Sequence, residues 1–263
     1  MRKPIYLSIL SLGVALQLPA FAVVRERETP APSPRESIVF VGAHPDDSEG
    51  FAGVAFLLAK DYDLHVVDLT RGELGLGAKG RDDGTTAKIR TAEERRACAL
   101  LGATPHFLKE CDGMAFASRE AVEELVKLLK EIRPVAVFTH WPVDDHPDHV
   151  SCAAVVNRAV KTANVPVERY FFEVLESQTL NWSPLYSVDI TSVIDRKLEM
   201  LRAYECQNAN DSLAMEKREQ AAKRGAERRP RTAYAETFTS LDGRPVAGGV
   251  LERLKETARL RTL

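Results

Sequence analysis

Hydrophobic and polar residues alternate in blocks along the 263-residue chain. Short runs rich in Ile, Val and Phe are typical of buried strands, whereas longer segments with apolar residues three or four positions apart are typical of helices. Strands are predicted at residues 37–43, 64–70, 104–109, 135–139, 169–175 and 186–190. Helices are predicted at residues 49–60, 86–101, 118–132, 149–163, 193–204 and 213–229. This alternation predicts an α/β, Rossmann-like three-layer fold with a mainly parallel sheet and helices on both faces.

The amino terminus follows a different pattern, which is that of a secretory signal peptide. Arg2 and Lys3 precede an apolar stretch at residues 5–18, and Pro-Ala-Phe-Ala at residues 19–22 ends in a small-x-small cleavage site. The apolar stretch is shorter than the ~20 residues that span a bilayer, which argues against the alternative, an uncleaved membrane anchor. We therefore predict a signal peptide over residues 1–22 and export to the periplasm or the cell exterior.

Composition limits the possible classes of the remaining chain. Residues 23–36 contain three prolines among alternating charges and are predicted to be a flexible linker, and residues 37–263 suffice for one catalytic domain. A formal net charge of -2 and a pI near 6.3 give no bias towards nucleic acid or anionic lipid. We expect no nucleic-acid partner and no membrane span after signal cleavage. The oligomeric state stays open.

The cysteines do not form a metal motif. Cys98, Cys111, Cys152 and Cys206 lie far apart without a Cys-x-x-Cys pair, which argues against a structural zinc knuckle. Export permits disulfides, but four cysteines allow three complete pairings and the sequence does not choose between them. Buried thiols are the alternative for Cys98 and Cys152, because both fall among apolar and alanine positions of predicted helices.

Two clusters of histidine and aspartate carry the candidate chemistry. The first, His-Pro-Asp-Asp at residues 44–47, directly follows the first predicted strand, and the second, Asp-Asp-His-Pro-Asp-His at residues 144–149, follows the strand that ends at residue 139. Ligands of doubly wound α/β folds bind beyond the carboxyl ends of the strands, so both clusters are expected at one rim of the sheet. Two histidines, one carboxylate and an open position form the ligand set of a catalytic zinc.

Both clusters resemble the signatures of one enzyme family. Gly-Ala-His-Pro-Asp-Asp-Ser-Glu at residues 42–49 is similar to the first signature of the LmbE-like, or PIG-L, family of zinc-dependent de-N-acetylases, and residues 144–149 resemble the second. Further family marks are a Thr-x-Gly-Glu loop, an Arg-x-x-Glu helix and two segments nearer the carboxyl terminus. They lie at residues 70–75, at Arg90 and Glu93, at residues 189–207 and at residues 234–238. Together the resemblance covers roughly residues 37–240.

The resemblance implies a metal cofactor and its ligands. His44, Asp47 and His149 are expected to bind Zn²⁺. Another divalent ion such as Fe²⁺ stays open, because sites of two histidines and one aspartate accept several metals. A role of Asp46 and Asp47 as caps of the following helix is the alternative, and capping does not exclude ligation.

The resemblance also implies the catalytic roles. Asp46 is expected to be the general base that takes a proton from the zinc-activated water. His146, at least partly protonated, is expected to stabilise the oxyanion, and Asp148 to hold one imidazole in its tautomer and raise its pKa. Arg90 is expected to bind a sugar hydroxyl or an anionic group of the substrate. Its alternative is an exposed helix arginine.

Three further features have alternatives. The glycine-rich loop at residues 72–84 is either a mobile flap over the site or a passive surface loop. The basic run at residues 217–231 is most simply a solvated helix face, with binding of an acidic glycan as the second interpretation. No ligand role is expected for the remaining histidines, which are His65, His106 and His140. Asp145 stands where the family often has an aromatic residue, which bears on substrate contacts.

The expected function is that of a metal-dependent hydrolase with one LmbE-like catalytic domain. It removes the acetyl group from an N-acetylated amino sugar, in an N-acetylglucosamine-type glycoside or glycan, and releases acetate and a free amine. One alternative is a metal hydrolase of another amide or ester. The other is a glycan-binding protein without turnover, which the presence of all expected ligands and the base argues against.

Overall fold

The computed structural model describes residues 35–76 and 84–260. The signal peptide, most of the linker and the centre of the glycine-rich loop therefore lie outside the described residues, and these assignments stay predictions. Within the described residues, no helix combines the length and the apolar character needed to cross a bilayer.

The strands form one sheet that is parallel over most of its width. The strands are β1 (Ser37–Gly42), β2 (Asp63–Asp68), β3 (Ala103–Phe107), β4 (Ala136–His140), β5 (Glu168–Phe172), β6 (Tyr186–Asp189), β7 (Ala235–Ser240) and β8 (Thr257–Arg259). Their order in the described sheet is β3-β2-β1-β4-β5-β7-β6-β8. The pairings from β3 to β5 are parallel, and those beyond β5 are antiparallel.

Helices cover both faces of this sheet and enclose two apolar cores. The helices are α1 (Ala52–Leu58), α2 (Thr85–Leu101), α3 (Arg119–Ile132), α4 (Pro147–Ala163), α5 (Ile194–Leu201), α6 (Ser212–Glu227) and α7 (Val250–Arg253). One core packs α1, α2 and α5 against stacked rings such as Phe40 and Phe138, and the other packs α3 and α4 against Val39 and Val41. Alternate residues of β1 thus face opposite cores. The predicted three-layer α/β fold is confirmed.

The sheet topology determines where the site lies. β1 and β4 are hydrogen-bonded neighbours, but the chain runs from β1 towards β2 and from β4 towards β5, on opposite sides. A crevice forms where two such connections diverge, at the carboxyl ends of the strands. The loops that follow β1 and β4 carry the two His-Pro-Asp clusters, so both clusters border this crevice.

The structure differs from the prediction at two helices and beyond residue 229, where β7, α7 and β8 form and no element was predicted. The helix predicted at residues 49–60 is divided into a 3-10 turn, Asp47–Gly50, and α1, because the chain leaves helical conformation at Phe51. The basic run at residues 217–231 is only partly solvated, since Lys217 and Arg228 are buried. The interpretation as a solvated helix face is therefore correct for the exposed part of the run and wrong for these two residues.

Candidate metal centre and catalytic cleft

A cleft of about 490 Å³ opens at the carboxyl ends of β1 and β4. Its described lining includes charged and imidazole side chains from both His-Pro-Asp clusters and from the segments after β2 and β3. These side chains are His44, Asp46, Asp47, Glu49, Arg90, Asp112, His146 and His149. The fold thus brings the catalytic, metal-binding and substrate-binding candidates to one cleft, except Asp148, which lies directly behind His44.

The three predicted metal ligands converge at the floor of the cleft. The ligand atoms of His44, Asp47 and His149 all lie within 4.8 Å of one another. Nδ1 of His44 is 3.7 Å from Oδ2 of Asp47, and Nε2 of His149 is 3.5 Å from Oδ1 of the same carboxylate. Two donors bound tetrahedrally to one ion at about 2.1 Å lie about 3.4 Å apart, so this arrangement fits a divalent ion.

Both histidines of this set are held by a carboxylate on their other ring nitrogen. Nε2 of His44 lies 3.1 Å from Oδ2 of Asp148, and Nδ1 of His149 lies 3.0 Å from Oδ1 of Asp144. A carboxylate in this position fixes the ring and its tautomer, and is typical of metal-binding histidines. Asp144, the first residue of the second cluster, thus supports the ring of His149.

A second group of donors, His44, His146 and Asp148, is also close enough to hold an ion. Its carboxylate is already engaged, since Asp148 accepts backbone N–H groups from Gly113 at 2.7 Å and from Ala115 at 3.2 Å. Nδ1 of His146 accepts the N–H of Asp148 at 3.2 Å. These bonds favour His44, Asp47 and His149 as the ligand set, because each histidine of that set keeps one ring nitrogen free for the ion.

Asp47 is the most strongly held residue of the centre. Its Oδ2 accepts the backbone N–H groups of Ala43 at 2.7 Å and His44 at 2.8 Å, and Nε2 of His140 lies 2.9 Å away. Burial alone raises the pKa of a carboxyl, but His140 and His149 outweigh it and hold the pKa of Asp47 well below its usual range. Asp47 is therefore a carboxylate ready to bind a cation.

His140 is a site residue that sequence reasoning missed. It ends β4, is buried, and stacks on His149 with ring centroids 4.1 Å apart. Burial and the charge of His149 lower the pKa of His140 to about 4, so it is neutral at physiological pH. No motif singles it out, but its place as the last residue of the strand before the second cluster was a usable signal.

Asp46, the expected base, lies next to Arg90. Nη2 of Arg90 is 2.8 Å from Oδ1 of Asp46. Burial raises the pKa of Asp46 to about 7, although the charge of Arg90 opposes the shift. A bound cation lowers this pKa again, because it favours the carboxylate. A general base is most effective when its pKa lies near the working pH.

The expected oxyanion donor, His146, has a lowered pKa. Burial, followed by the charges of His149 and His44, lowers the pKa of His146. Because Nδ1 of His146 accepts the N–H of Asp148, the ring proton lies on Nε2. The lowered pKa disfavours the expected protonated form of His146 in the metal-free protein, and the imidazole that Asp148 holds is that of His44.

Asp112 and Arg90 complete the charged lining. Oδ1 of Asp112 lies 3.3 Å from Nε2 of His44, and Oδ2 accepts the N–H of Leu74 at 2.8 Å. Sequence reasoning missed Asp112, which follows β3 at the same rim as the two clusters. Arg90 is only 4% exposed, so the alternative of an exposed helix arginine is wrong. The four cysteines are free thiols, with Cys98 and Cys152 buried.

Comparisons with known proteins identify relatives of this chain in sequence and in fold. Residues 39–160 match the family model described as PIG-L, GlcNAc-PI de-N-acetylase. A 4-oxalmesaconate hydratase of Pseudomonas putida is 30% identical over 184 residues, which are 63% of this chain and 71% of that protein. A 1D-myo-inositol 2-acetamido-2-deoxy-alpha-D-glucopyranoside deacetylase of Thermobispora bispora is 33% identical over 160 residues.

The Thermobispora match covers 49% of this chain and about half of that deacetylase, 53%. The N,N'-diacetylchitobiose deacetylase of Pyrococcus horikoshii has a similar fold, with a TM-score of 0.69 at 23% identity over 79% of this chain and 84% of that one. Sequence, fold and the arrangement of the two signatures lead to one conclusion: the chain belongs to the PIG-L, or LmbE-like, family.

Proposed function

We propose that the protein is a zinc-dependent hydrolase that removes the acetyl group from an N-acetylated amino sugar, in a glycoside or a glycan. One observation carries this proposal: the carboxylate of Asp46 lies outside the three-ligand set, yet it neighbours the ligand Asp47 in the chain and lines the same cleft. A metal site with a separate carboxylate beside it has the parts that amide hydrolysis needs.

The chain's own residues supply the proton transfers and the charge stabilisation. His44, Asp47 and His149 would hold a divalent ion, which would supply the Lewis acidity that lowers the pKa of water and polarises an acyl carbonyl. Asp46 accepts the proton of the attacking water and returns it to the nitrogen as the C–N bond breaks. His146 donates its Nε2–H to the oxygen that becomes negative. The products are acetate and a free amine.

Zinc is the ion that we propose for this site. Two imidazoles and one carboxylate are the protein ligands of many catalytic zinc sites, in which a fourth position stays open. Fe²⁺ binds the same donors, and selection between the two ions depends on geometry and supply.

The charge of the cleft favours an uncharged substrate rich in hydroxyl groups. Arg90 is the only lysine or arginine among the described residues that line the cleft, and it is paired with Asp46. Asp112, Gln178 and Gln207 offer a carboxylate and two amides, which form hydrogen bonds with sugar hydroxyls. An N-acetylated sugar matches this lining better than an anion does.

A hydratase activity is the second candidate, because the Pseudomonas relative with 30% identity is named a hydratase. The name 4-oxalmesaconate denotes a substrate with several carboxylates. Recognition of such an anion relies on lysine or arginine partners, and the described lining offers none that is unpaired. We therefore favour the deacetylase.

The test is acetate release by the metal-loaded protein from N-acetylglucosamine, its glycosides and diacetylchitobiose. Asp46→Asn is the control, and we expect a loss of about 10²- to 10⁴-fold in kcat at unchanged metal content. O-acetyl sugars, other amides and 4-oxalmesaconate form separate arms of the panel, which identify another hydrolase or a hydratase. The proposal fails if no N-acetyl sugar releases acetate, or if Asp46→Asn is as active as wild type.

We also propose that the protein is exported. The charged, apolar and small-residue zones of the first 22 residues support this proposal. Expression of the full chain, cell fractionation and mass spectrometry of the amino terminus test it. A mature protein outside the cytoplasm that begins at Val23 is expected, and an intact amino terminus in the cytoplasmic fraction would overturn it.

A further inference from the structure

We infer that Arg90 is a positioning residue for the base, and that the glycine turn at Gly72 and Gly75 exists to hold its guanidinium in place. The inference deepens the proposed function, on which it rests for the role of Asp46. It differs from the sequence-based expectation, which made Arg90 a substrate ligand.

The guanidinium borders the cleft, but both polar partners of its Nη2 belong to the turn after β1. Nη2 of Arg90 lies 2.8 Å from Oδ1 of Asp46 and also donates to the carbonyl oxygen of Pro45. One guanidinium nitrogen thus engages two consecutive residues of the turn after β1. Because the fork is planar and rigid, these two contacts fix both the side chain of Asp46 and the peptide that precedes it.

The backbone of Asp46 needs such support. Its φ is 121° and its ψ is -16°, a region that residues with a Cβ atom rarely adopt. Strained conformations of this kind persist only where the surrounding structure holds them, and they are frequent at active sites. Without Arg90, the turn after β1 loses the contacts that hold Pro45 and Asp46 from the side of α2.

Two glycines close off the other side of the guanidinium. A Cβ atom at Gly72, whose φ is +64°, would lie 2.5 Å from Nε of Arg90. A Cβ atom at Gly75 would overlap Nη1. Only a glycine backbone therefore approaches the guanidinium this closely, and the turn packs Arg90 against Asp46. This packing explains why glycine stands at both positions of the loop that follows β2.

The experiment compares wild type with Arg90→Gln, Arg90→Lys and Gly72→Ala. Gly102→Ala is the matched control, because Gly102 has a similar φ of +78° but a Cβ atom there would meet nothing within 4 Å. Metal content, kcat and KM on the best acetylated sugar are measured for each protein. Crystal structures of wild type and Arg90→Gln provide a readout that does not depend on activity.

We expect the Arg90 variants to keep the metal content of wild type and a KM within about threefold of it. Their kcat is expected to fall by about 100-fold, which is the typical cost of a misplaced catalytic group. Gly72→Ala is expected to lower kcat as well, and Gly102→Ala to leave it unchanged. In the crystal, Asp46 of Arg90→Gln is expected to leave its positive φ.

Other results overturn the inference. A rise in KM at unchanged kcat would make Arg90 a substrate ligand. An Asp46 that keeps its place in Arg90→Gln would show that the arginine does not position it. If wild type releases no acetate from any N-acetyl sugar, the proposed function fails, and the crystal comparison still decides whether Arg90 positions Asp46.

Discussion

Two buried clusters of charge lie side by side in this protein, and they are neutralised in different ways. Beside the cleft, a salt-bridge network pairs every carboxylate with a cation. The pairs are Glu49 with Lys217 at 3.0 Å, Glu236 with Lys197 at 2.6 Å, and Glu173 with Arg224 at 2.6 Å. In the metal centre, Asp47, Asp144 and Asp148 contact only histidines, a threonine hydroxyl and backbone N–H groups among the described residues.

This difference separates a structural cluster from a binding site. Buried charges are tolerated when they are paired and hydrogen-bonded. The network meets this condition with its own lysines and arginine, whereas the metal centre has an excess of carboxylate. The imidazoles supply a positive charge only by taking up protons. The centre therefore binds either protons or a metal ion, and the network needs neither.

The excess of carboxylate raises the pKa values of His44 and His149, the two candidate metal-binding histidines. Burial lowers the pKa of an imidazole, but Asp112, Asp148 and Asp47 outweigh burial and raise the pKa of His44 to about 10. In the same way, Asp47 and Asp144 outweigh burial and raise the pKa of His149 to about 9. In the metal-free protein, protons thus occupy the nitrogens that an ion would bind.

The largest expected effect is that of removing the charge of Asp47. Asp47→Asn keeps the shape of the side chain but removes the negative charge that lies between His44 and His149. We expect the purified variant to lose its metal and to release acetate only at background rate. Asp145→Asn, which changes an exposed carboxylate at the same rim, serves as the control and should keep the metal content of wild type. Full metal content in Asp47→Asn would show that Asp47 is not a ligand.

The next effect concerns the stability of the network. Lys217→Met leaves Glu49 buried without its cation, so we expect the free energy of unfolding to fall by about 3–5 kcal/mol. Lys223 lies on the same helix, but both Lys223 and its partner Glu176 are half exposed. Lys223→Met should therefore lower the free energy of unfolding by less than about 1 kcal/mol. Urea unfolding of both variants measures the difference. Equal losses would contradict the contrast between buried and exposed pairs.

A smaller effect is expected for the carboxylate behind His149. Asp144→Asn keeps a hydrogen-bond acceptor but removes the charge, and we expect the affinity for zinc to fall by about 10- to 100-fold. Competition with a chromogenic chelator measures this affinity without reference to activity. An unchanged affinity would mean that the carboxylate only shapes the loop.

The smallest effect is a dependence on pH. The pKa values of His44 and His149 are higher in the folded metal-free protein than in the unfolded chain, where an imidazole has a pKa of about 6.5. Their protonation therefore contributes its full stability below about pH 6.5, and this contribution is lost as the pH rises through about 9 for His149 and about 10 for His44. We therefore expect the Tm of the metal-free protein to fall over this window. Zinc binding at pH 7.5 should release protons, which calorimetry in buffers of different ionisation enthalpy detects. Binding without proton release would contradict the protonated state of these histidines.

The parallel half of the sheet could be predicted from the sequence because it is built from regular patterns. β1, β4 and the helices that follow them show hydrophobic periodicity, and their ends position the two His-Pro-Asp clusters. Ser118, the first residue of the helix predicted at residues 118–132, caps α3 and accepts the N–H of Ala121 at 2.9 Å. Local signals determined these elements, and parallel pairing then brought the ligands together.

In the antiparallel half, β6 was predicted but β7 was not, because the residues of β7 have long-range partners. β7, Ala-Glu-Thr-Phe-Thr-Ser, is buried at all six positions and has no apolar alternation. Its Glu236 accepts the N–H groups of Gly53 and Val54 and binds Lys197, far away in the chain. Lys217 likewise resembles a surface residue in the sequence. Only the folded structure shows that the ammonium group of Lys217 pairs with the carboxylate of Glu49.

The most direct test is anomalous diffraction at the zinc edge from crystals of the metal-loaded protein. We predict a single peak about 2.0–2.2 Å from Nδ1 of His44, the carboxylate of Asp47 and Nε2 of His149. A peak bonded instead to His44, His146 and Asp148 would contradict this ligand set. So would the lack of any peak in a protein that still releases acetate.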